Sequence, residues 1–171
     1  NVQRYGQLSR RSRFYEAARY YLQYAGMPDT LVYSFHDDTL DYNDDYKSRG
    51  EWVNYLMGAP NGPNVDPNTP GLGIPIDVSL AFHTDAGITR DESTIGTLLI
   101  YSGLGEDTLT HYPDGRSRIS SRDFADIMQT EIVDDIRAKY DTTWNRRAMY
   151  NSLYSEAFRP HAPAVILELL S

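Results

Sequence analysis

Cysteine is absent from the 171 residues, which excludes disulfides and thiolate metal sites and leaves the compartment open. Basic side chains are scarce: Lys and Arg number 16 against 24 Asp and Glu, for a formal net charge of -8. Phosphate binding calls for a basic surface, so a nucleic-acid backbone is excluded as the main partner. Long apolar runs are missing as well, and no stretch approaches the ~20 residues that a membrane-spanning helix needs. Internal repeats and low-complexity blocks are likewise absent. Histidine is sparse, at His36, His83, His111 and His161 only.

What is present suits a folded domain. The apolar fraction of 40% is modest, but 14 tyrosines add amphipathic bulk, and a chain of this length fits one domain with a sizeable core. The chain opens on Asn1 without a charged and then apolar leader, and closes on the apolar run Val165 to Leu170. Both ends are read as those of a fragment of a longer, exported protein, located in the periplasm, cell envelope or outside the cell, with an initial strand expected upstream.

From Arg13 the spacing predicts a helix, with Phe14, Ala17, Ala18, Tyr21, Leu22 and Ala25 on one face, Ser12 as cap, and Gly26 and Pro28 as the stop. Thr30 to Phe35 predicts a strand ending at His36-Asp37-Asp38. The carboxylate-rich stretch from Asp41 precedes a helix over Glu51 to Met57 and fits the positive end of its dipole, while its spacing departs from a calcium-binding EF-hand loop. Gly58 to Gly73, rich in Pro and Gly, predicts a long loop of the kind used for binding. Ile76, Val78, Leu80 and Phe82 alternate with Asp77, Ser79 and Ala81 and predict a buried strand, followed by another at Gly96 to Tyr101. A long helix follows, with Ser120 and Asp123 as a capping pair and Phe124, Ile127, Met128, Ile132, Ile136 and Tyr140 as its apolar face. A further helix is predicted over Trp144 to Phe158, and a last strand over Ala164 to Leu169. This order predicts a three-layer α/β fold, a mixed and mostly parallel sheet with helices on both faces.

Two residues stand out chemically. His83 ends its strand just before Thr84-Asp85-Ala86-Gly87, so an imidazole and a carboxylate leave the sheet where α/β folds bind ligands and metals. A core histidine met by backbone groups is the alternative. Glu168 lies within Val165-Ile-Leu and Leu169-Leu170, where an ionised carboxylate needs a cation or several donors. A metal, or a reaction using a carboxylate of raised pKa, would meet that need, as would a strand-end glutamate reaching solvent or an arginine. Arg146 and Arg147, after Trp144, suit an anionic peptide or simply a solvated helix face.

The order of the motifs resembles the zinc-dependent N-acetylmuramoyl-L-alanine amidases, in the branch whose sheet-and-helix catalytic domain is related to zinc exopeptidases. Arg49 and Asn54 fit that family's helical Arg and Asn five residues apart. Ser79-Leu-Ala-Phe-His83-Thr-Asp-Ala86 is similar to its Ser-x-His-x-Asn-Ala motif, with one extra residue and Asp85 in place of asparagine. Gly96 opens a strand, the long helix follows, and Pro163-Ala-Val-Ile-Leu-Glu168 matches its closing Pro-Ala-Val-Leu-x-Glu strand. The resemblance implies one zinc ion, with His83 and Glu16 as ligands and Glu168 as the carboxylate that activates water. It further implies that Asp85 and Arg49 contact substrate, with Arg147 joining them as a candidate from its place after Trp144, and that the substrate is peptidoglycan or a related glycopeptide, cut between N-acetylmuramic acid and L-alanine. The family's first zinc histidine has no counterpart here, since none precedes His36. An amidase-like domain that binds cell-wall glycan or peptide without cutting it is the alternative.

Overall fold

The computed structural model describes residues 3–4, 7–8, 10, 12, 17–33, 41–58, 70–84 and 96–170. The chain divides into two compact units, one of residues 1–76 with 159–161 and the other of residues 77–158 with 162–171.

In the first unit, the two-residue strands β1 (Gln3–Arg4) and β2 (Gln7–Leu8) pair antiparallel, and three helices follow: α1 (Ala18–Tyr24), α2 (Asp29–Val32) and α3 (Asp41–Met57). Ala17 stands at the start of α1 without a side-chain cap, so the cap expected from Ser12 is not made. The stop is as expected. Gly26 takes φ 99° and donates to the Gln23 carbonyl while Met27 donates to that of Leu22, which satisfies the last carbonyls of the helix. The face expected for α1 is only partly the buried one: Ala17 and Leu22 are buried, whereas Tyr21 is 73% exposed.

The strand expected over Thr30 to Phe35 is overturned where the structure describes it, because Asp29–Val32 is helical. Pro28 precedes that turn, Asp29 sits at its positive end, and Leu31 and Val32 are fully buried against Leu22, Met27 and Tyr55. Short apolar runs do not separate strand from helix by period alone, and tertiary burial decides. The helix expected from Glu51 already includes Asp41, the first described residue of its segment. Its early carboxylates face a cation: Arg19, 3% exposed, lies 2.7 Å from Asp41 and 3.7 Å from Asp44, and its backbone N–H donates to Asp45. Further along α3, the Asn54 amide donates to the Arg159 carbonyl at 3.0 Å and accepts from the His161 N–H at 2.8 Å.

The second unit is built on a four-stranded sheet in the order β3 (Ser79–His83), β6 (Ala164–Leu170), β4 (Gly96–Tyr101), β5 (Tyr150–Asn151). β3 pairs with β6 and β4 with β5 in parallel, and β4 with β6 antiparallel, so the sheet is mixed and mostly parallel. The long helix α4 (Ile119–Lys139) covers one face through Phe124, Ala125 and Ile132 against Leu99, Val165 and Leu167. The short α5 (Ser155–Phe158) covers the other, with Ala157 against Leu98, Ile100 and Ile166. Helices therefore lie on both faces of an α/β sheet, as the element order predicts.

Three expectations in this unit need correction. β3 turns its apolar side chains outward: Leu80 and Phe82 are 46% and 60% exposed, like Val78 just before it at 49%, while Ser79, Ala81 and His83 are half-buried. Alternation tells which residues share a face but not which face the rest of the chain covers. α4 makes no capping pair at Ser120, whose hydroxyl bonds back to the Ser117 carbonyl, and its most buried positions are Ser121, Ala125, Gln129 and Val133, with Ile127 63% exposed. The helix expected over Trp144 to Phe158 is mostly extended chain, since the backbone of Asn145 and Arg147 brackets Thr97 with hydrogen bonds and only Ser155–Phe158 is helical. The backbone groups of β4 on that side take precedence over a weak helical pattern.

Asp141 turns the chain from α4 towards β4. One oxygen accepts from the Thr143 hydroxyl at 2.6 Å and the Thr143 N–H at 2.8 Å. These bonds, the hydroxyl first, hold its carboxyl below the ordinary 3.8. The contribution of the turn to stability is accordingly present above the unfolded-state value and lost as pH falls through the folded one. A carbon-detected NMR titration should find Asp141 half-protonated below pH 3.8, and Thr143→Val should move it back towards that value. An unchanged midpoint in the variant would refute the assignment.

Candidate functional site

The parallel register of β3 and β6 sets His83 directly beside Glu168. Residues paired in this way project to one face, with backbones about 4.8 Å apart, so the two residues singled out in the sequence meet at the carboxyl-end rim shared by β3 and β6. Their face is the one α5 covers, because Leu98, which pairs with Glu168 from the other side, belongs to the cluster around Ala157. Glu168 is 6% exposed.

A third group joins them that sequence reasoning missed. His83 Nε2 lies 2.9 Å from the Glu156 carboxylate, with the side chains 23% and 17% exposed. A carboxylate against one ring nitrogen fixes the orientation and tautomer of an imidazole. Nothing in the spacing of the sequence marks Glu156, which sits in the segment read there as one long helix. Only the return of the chain through the extended Trp144 to Tyr154 stretch brings it over the sheet.

Both elements that carry the glutamates are anchored by one buried cluster. Arg118, 2% exposed, donates to the Phe158 carbonyl at the end of α5 and lies 4.3 Å from the centre of the Tyr112 ring. The Tyr112 hydroxyl hydrogen-bonds Ser121, whose own hydroxyl accepts from the Ala164 N–H at the start of β6 at 3.1 Å. Burial pushes the Tyr112 phenol up, and the Ser121 bond opposes that shift in part. The phenol thus stays neutral at physiological pH.

The other expected site residues fall elsewhere. Glu16 and Asp85 lie outside the described residues, as do His36, Asp37 and Asp38. Arg49 belongs to the first unit, where it pairs with Asp45 at 2.7 Å within α3. Asn54, its expected companion, clasps the 159–161 backbone. Arg146 is engaged by α4, 2.6 Å from both Asp126 and Thr130. Arg147 is half-buried beside β4.

Tested against zinc, the donors are one imidazole and neighbouring carboxylates. Among the described residues no three of His, Asp and Glu converge in a way that could hold a metal ion, and the nearest pair, His83 with Glu156, is joined by a hydrogen bond. What these side chains form by themselves is an oriented imidazole next to a buried carboxylate, the constituents of acid/base chemistry. Among the described residues, no helix is long and apolar enough to cross a membrane. Comparison of the chain with protein-family models, with curated proteins and with solved structures gives no significant match.

Proposed function

We propose that this chain is a peptidoglycan amidase-like hydrolase of the zinc exopeptidase-related fold, exported to the cell envelope, which cleaves the amide between N-acetylmuramic acid and L-alanine. The observation that carries the reading is the pairing of His83 with Glu168 across adjacent parallel strands at one rim of the sheet. These residues were singled out by motifs far apart in the sequence, and an acid/base carboxylate needs such a neighbour within reach of the scissile bond. Glu168, buried beside Leu98, is the group that takes a proton from the attacking water and returns it to the departing amine. Glu156 holds His83 in place, and the apolar surround of Leu98 and Ile166 keeps bulk water from the carboxylate.

Zinc belongs to the proposal, with His83 and Glu16 as its ligands, and when bound it would polarise the amide carbonyl. The described residues do not complete a three-ligand set, and no step above depends on the metal. The hydrogen bond between His83 and Glu156 favours a second reading, in which the domain binds cell-wall glycan or peptide without cutting it. Incubation of the full-length protein with purified muropeptides, followed by mass spectrometry and metal analysis, separates the two. The hydrolase releases free stem peptide and holds about one zinc per chain; intact muropeptides with no bound zinc leave the binding domain.

A further inference from the structure

β3 is bonded along one edge and open along the other. Ser79 donates its N–H to the Pro163 carbonyl at 2.8 Å, and the unbroken parallel register then turns the backbone groups of Ser79, Ala81 and His83 towards β6. The N–H and C=O groups of Leu80 and Phe82 point the other way, off the end of the sheet. Among the described residues none of these groups has a hydrogen-bond partner. The side chains of the same two residues stand about half exposed on the α4 face, beside Val165 and Leu167. Natural sheets protect such edges with a lysine, a proline or a bulge. Residues 79–82 carry no charge and no proline, and the ladder to β6 runs without a bulge.

We infer that a second copy of this chain covers the open edge, with β3 antiparallel to β3 across a twofold axis at Ala81. The strand is complementary to itself in that register. Ala81 is the centre of Ser79–His83, so the two strands pair over their whole length. Leu80 meets Phe82 of the second copy, and Phe82 meets its Leu80, which gives both exposed apolar side chains a cross-strand partner. These two residues also own the outward backbone groups, so both pairs are of the hydrogen-bonded kind and every outward N–H and C=O is satisfied. A foreign strand would have to bring the same alternation, which a second copy already has. On the other face Ser79 of the second copy comes opposite His83, so each copy adds a hydroxyl beside the rim of the other. The net charge of -8 opposes association only weakly, since the edge carries none of it and physiological salt screens charges beyond about 8 Å. Two half-exposed edges bury less than the roughly 1,200 Å² of a standard interface, which makes the dimer a weak, concentration-dependent one.

The chain has no cysteine of its own, so a single introduced thiol reads the register. In the full chain Ala81→Cys lies on the twofold axis, where facing backbones stand about 4.5 Å apart and a disulfide can close, and mild oxidation should convert most of it to a covalent dimer. Ser79→Cys, on the same face, stands opposite His83 of the second copy and should stay unlinked. Leu80→Cys mixed with Phe82→Cys should link into a heterodimer that neither forms alone, and this mixture decides should circular dichroism show Ala81→Cys unfolded. Sedimentation velocity of the unmodified chain should show a dimer fraction that rises between about 10 μM and about 1 mM. Leu80→Lys, the kind of charge that protects natural edges, should raise the dissociation constant at least about tenfold. A chain that stays monomeric throughout, a dimer indifferent to Leu80→Lys, a folded Ala81→Cys that does not link, or a Ser79→Cys that links as readily overturns the inference. None of these readouts involves cleavage, so they hold whatever becomes of the hydrolase reading.

Discussion

Replacing Glu168 by glutamine is expected to lower release of stem peptide from muropeptides by about 10²–10⁴-fold, the usual range for removing a general acid/base. Glutamine keeps the shape of the side chain and loses its ability to move the proton. The position is 6% exposed and paired with Leu98 of the next strand, so a change of shape would confuse the outcome. The glutamine variant should melt within a few degrees of the parent, since no buried volume is gained or lost. In the same assay Glu156→Gln should cost only about tenfold, because an amide still occupies the place beside His83 at 2.9 Å and only orients it. If Glu168→Gln cleaves at the parental rate, Glu168 is not the acid/base group, whatever its neighbours are.

The second large effect concerns architecture. Gly96→Ala is expected to destabilise the sheet unit by about 3–5 kcal/mol. Gly96 takes φ 98°, and a Cβ on it would stand 2.1 Å from the Asn145 carbonyl oxygen, a backbone atom that cannot rotate aside. Relieving the clash means moving the segment that supplies the bond from the Thr97 N–H to the Asn145 carbonyl and the bond from the Trp144 indole to the Thr97 hydroxyl. Gly26→Ala is the control, with φ 99° and nothing within 4 Å of the added carbon, so it should cost only about 1 kcal/mol. Urea denaturation of both variants measures the difference. Equal losses would mean that the close approach at Gly96 is relieved without breaking the strand contacts.

The parts of the fold legible in the sequence are those decided locally. Gly96 to Tyr101 folds as read, a short apolar run opened by a glycine that the structure buries along nearly its whole length as a central strand. The closing strand is legible for the same reason, and Gly26 ends its helix as read. Misread elements were decided by distant partners. Leu80 and Phe82 alternate like core residues, yet α4 lies over β4 and β6 and leaves them exposed. Leu31 and Val32 look like strand until Leu22 and Tyr55 bury them as a helical turn. The site divides in the same way: His83 and Glu168 stand out by type and position, whereas Glu156 acquires meaning only when the chain doubles back. The acid cluster of α3 was legible as helix-start chemistry but not as the seat of Arg19, which lies on another helix.

β6 is hydrogen-bonded on both sides, to β3 and to β4, although both of those strands precede it in the chain. On a ribosome the two flanking strands emerge while the piece that fits between them is still unmade, and Ser79 must wait for Ala164 to find its neighbour. Such late closure slows folding and prolongs the time that the nascent chain shows unpaired strand edges to its surroundings. The glutamate of the rim is therefore also the last part of the site to be translated.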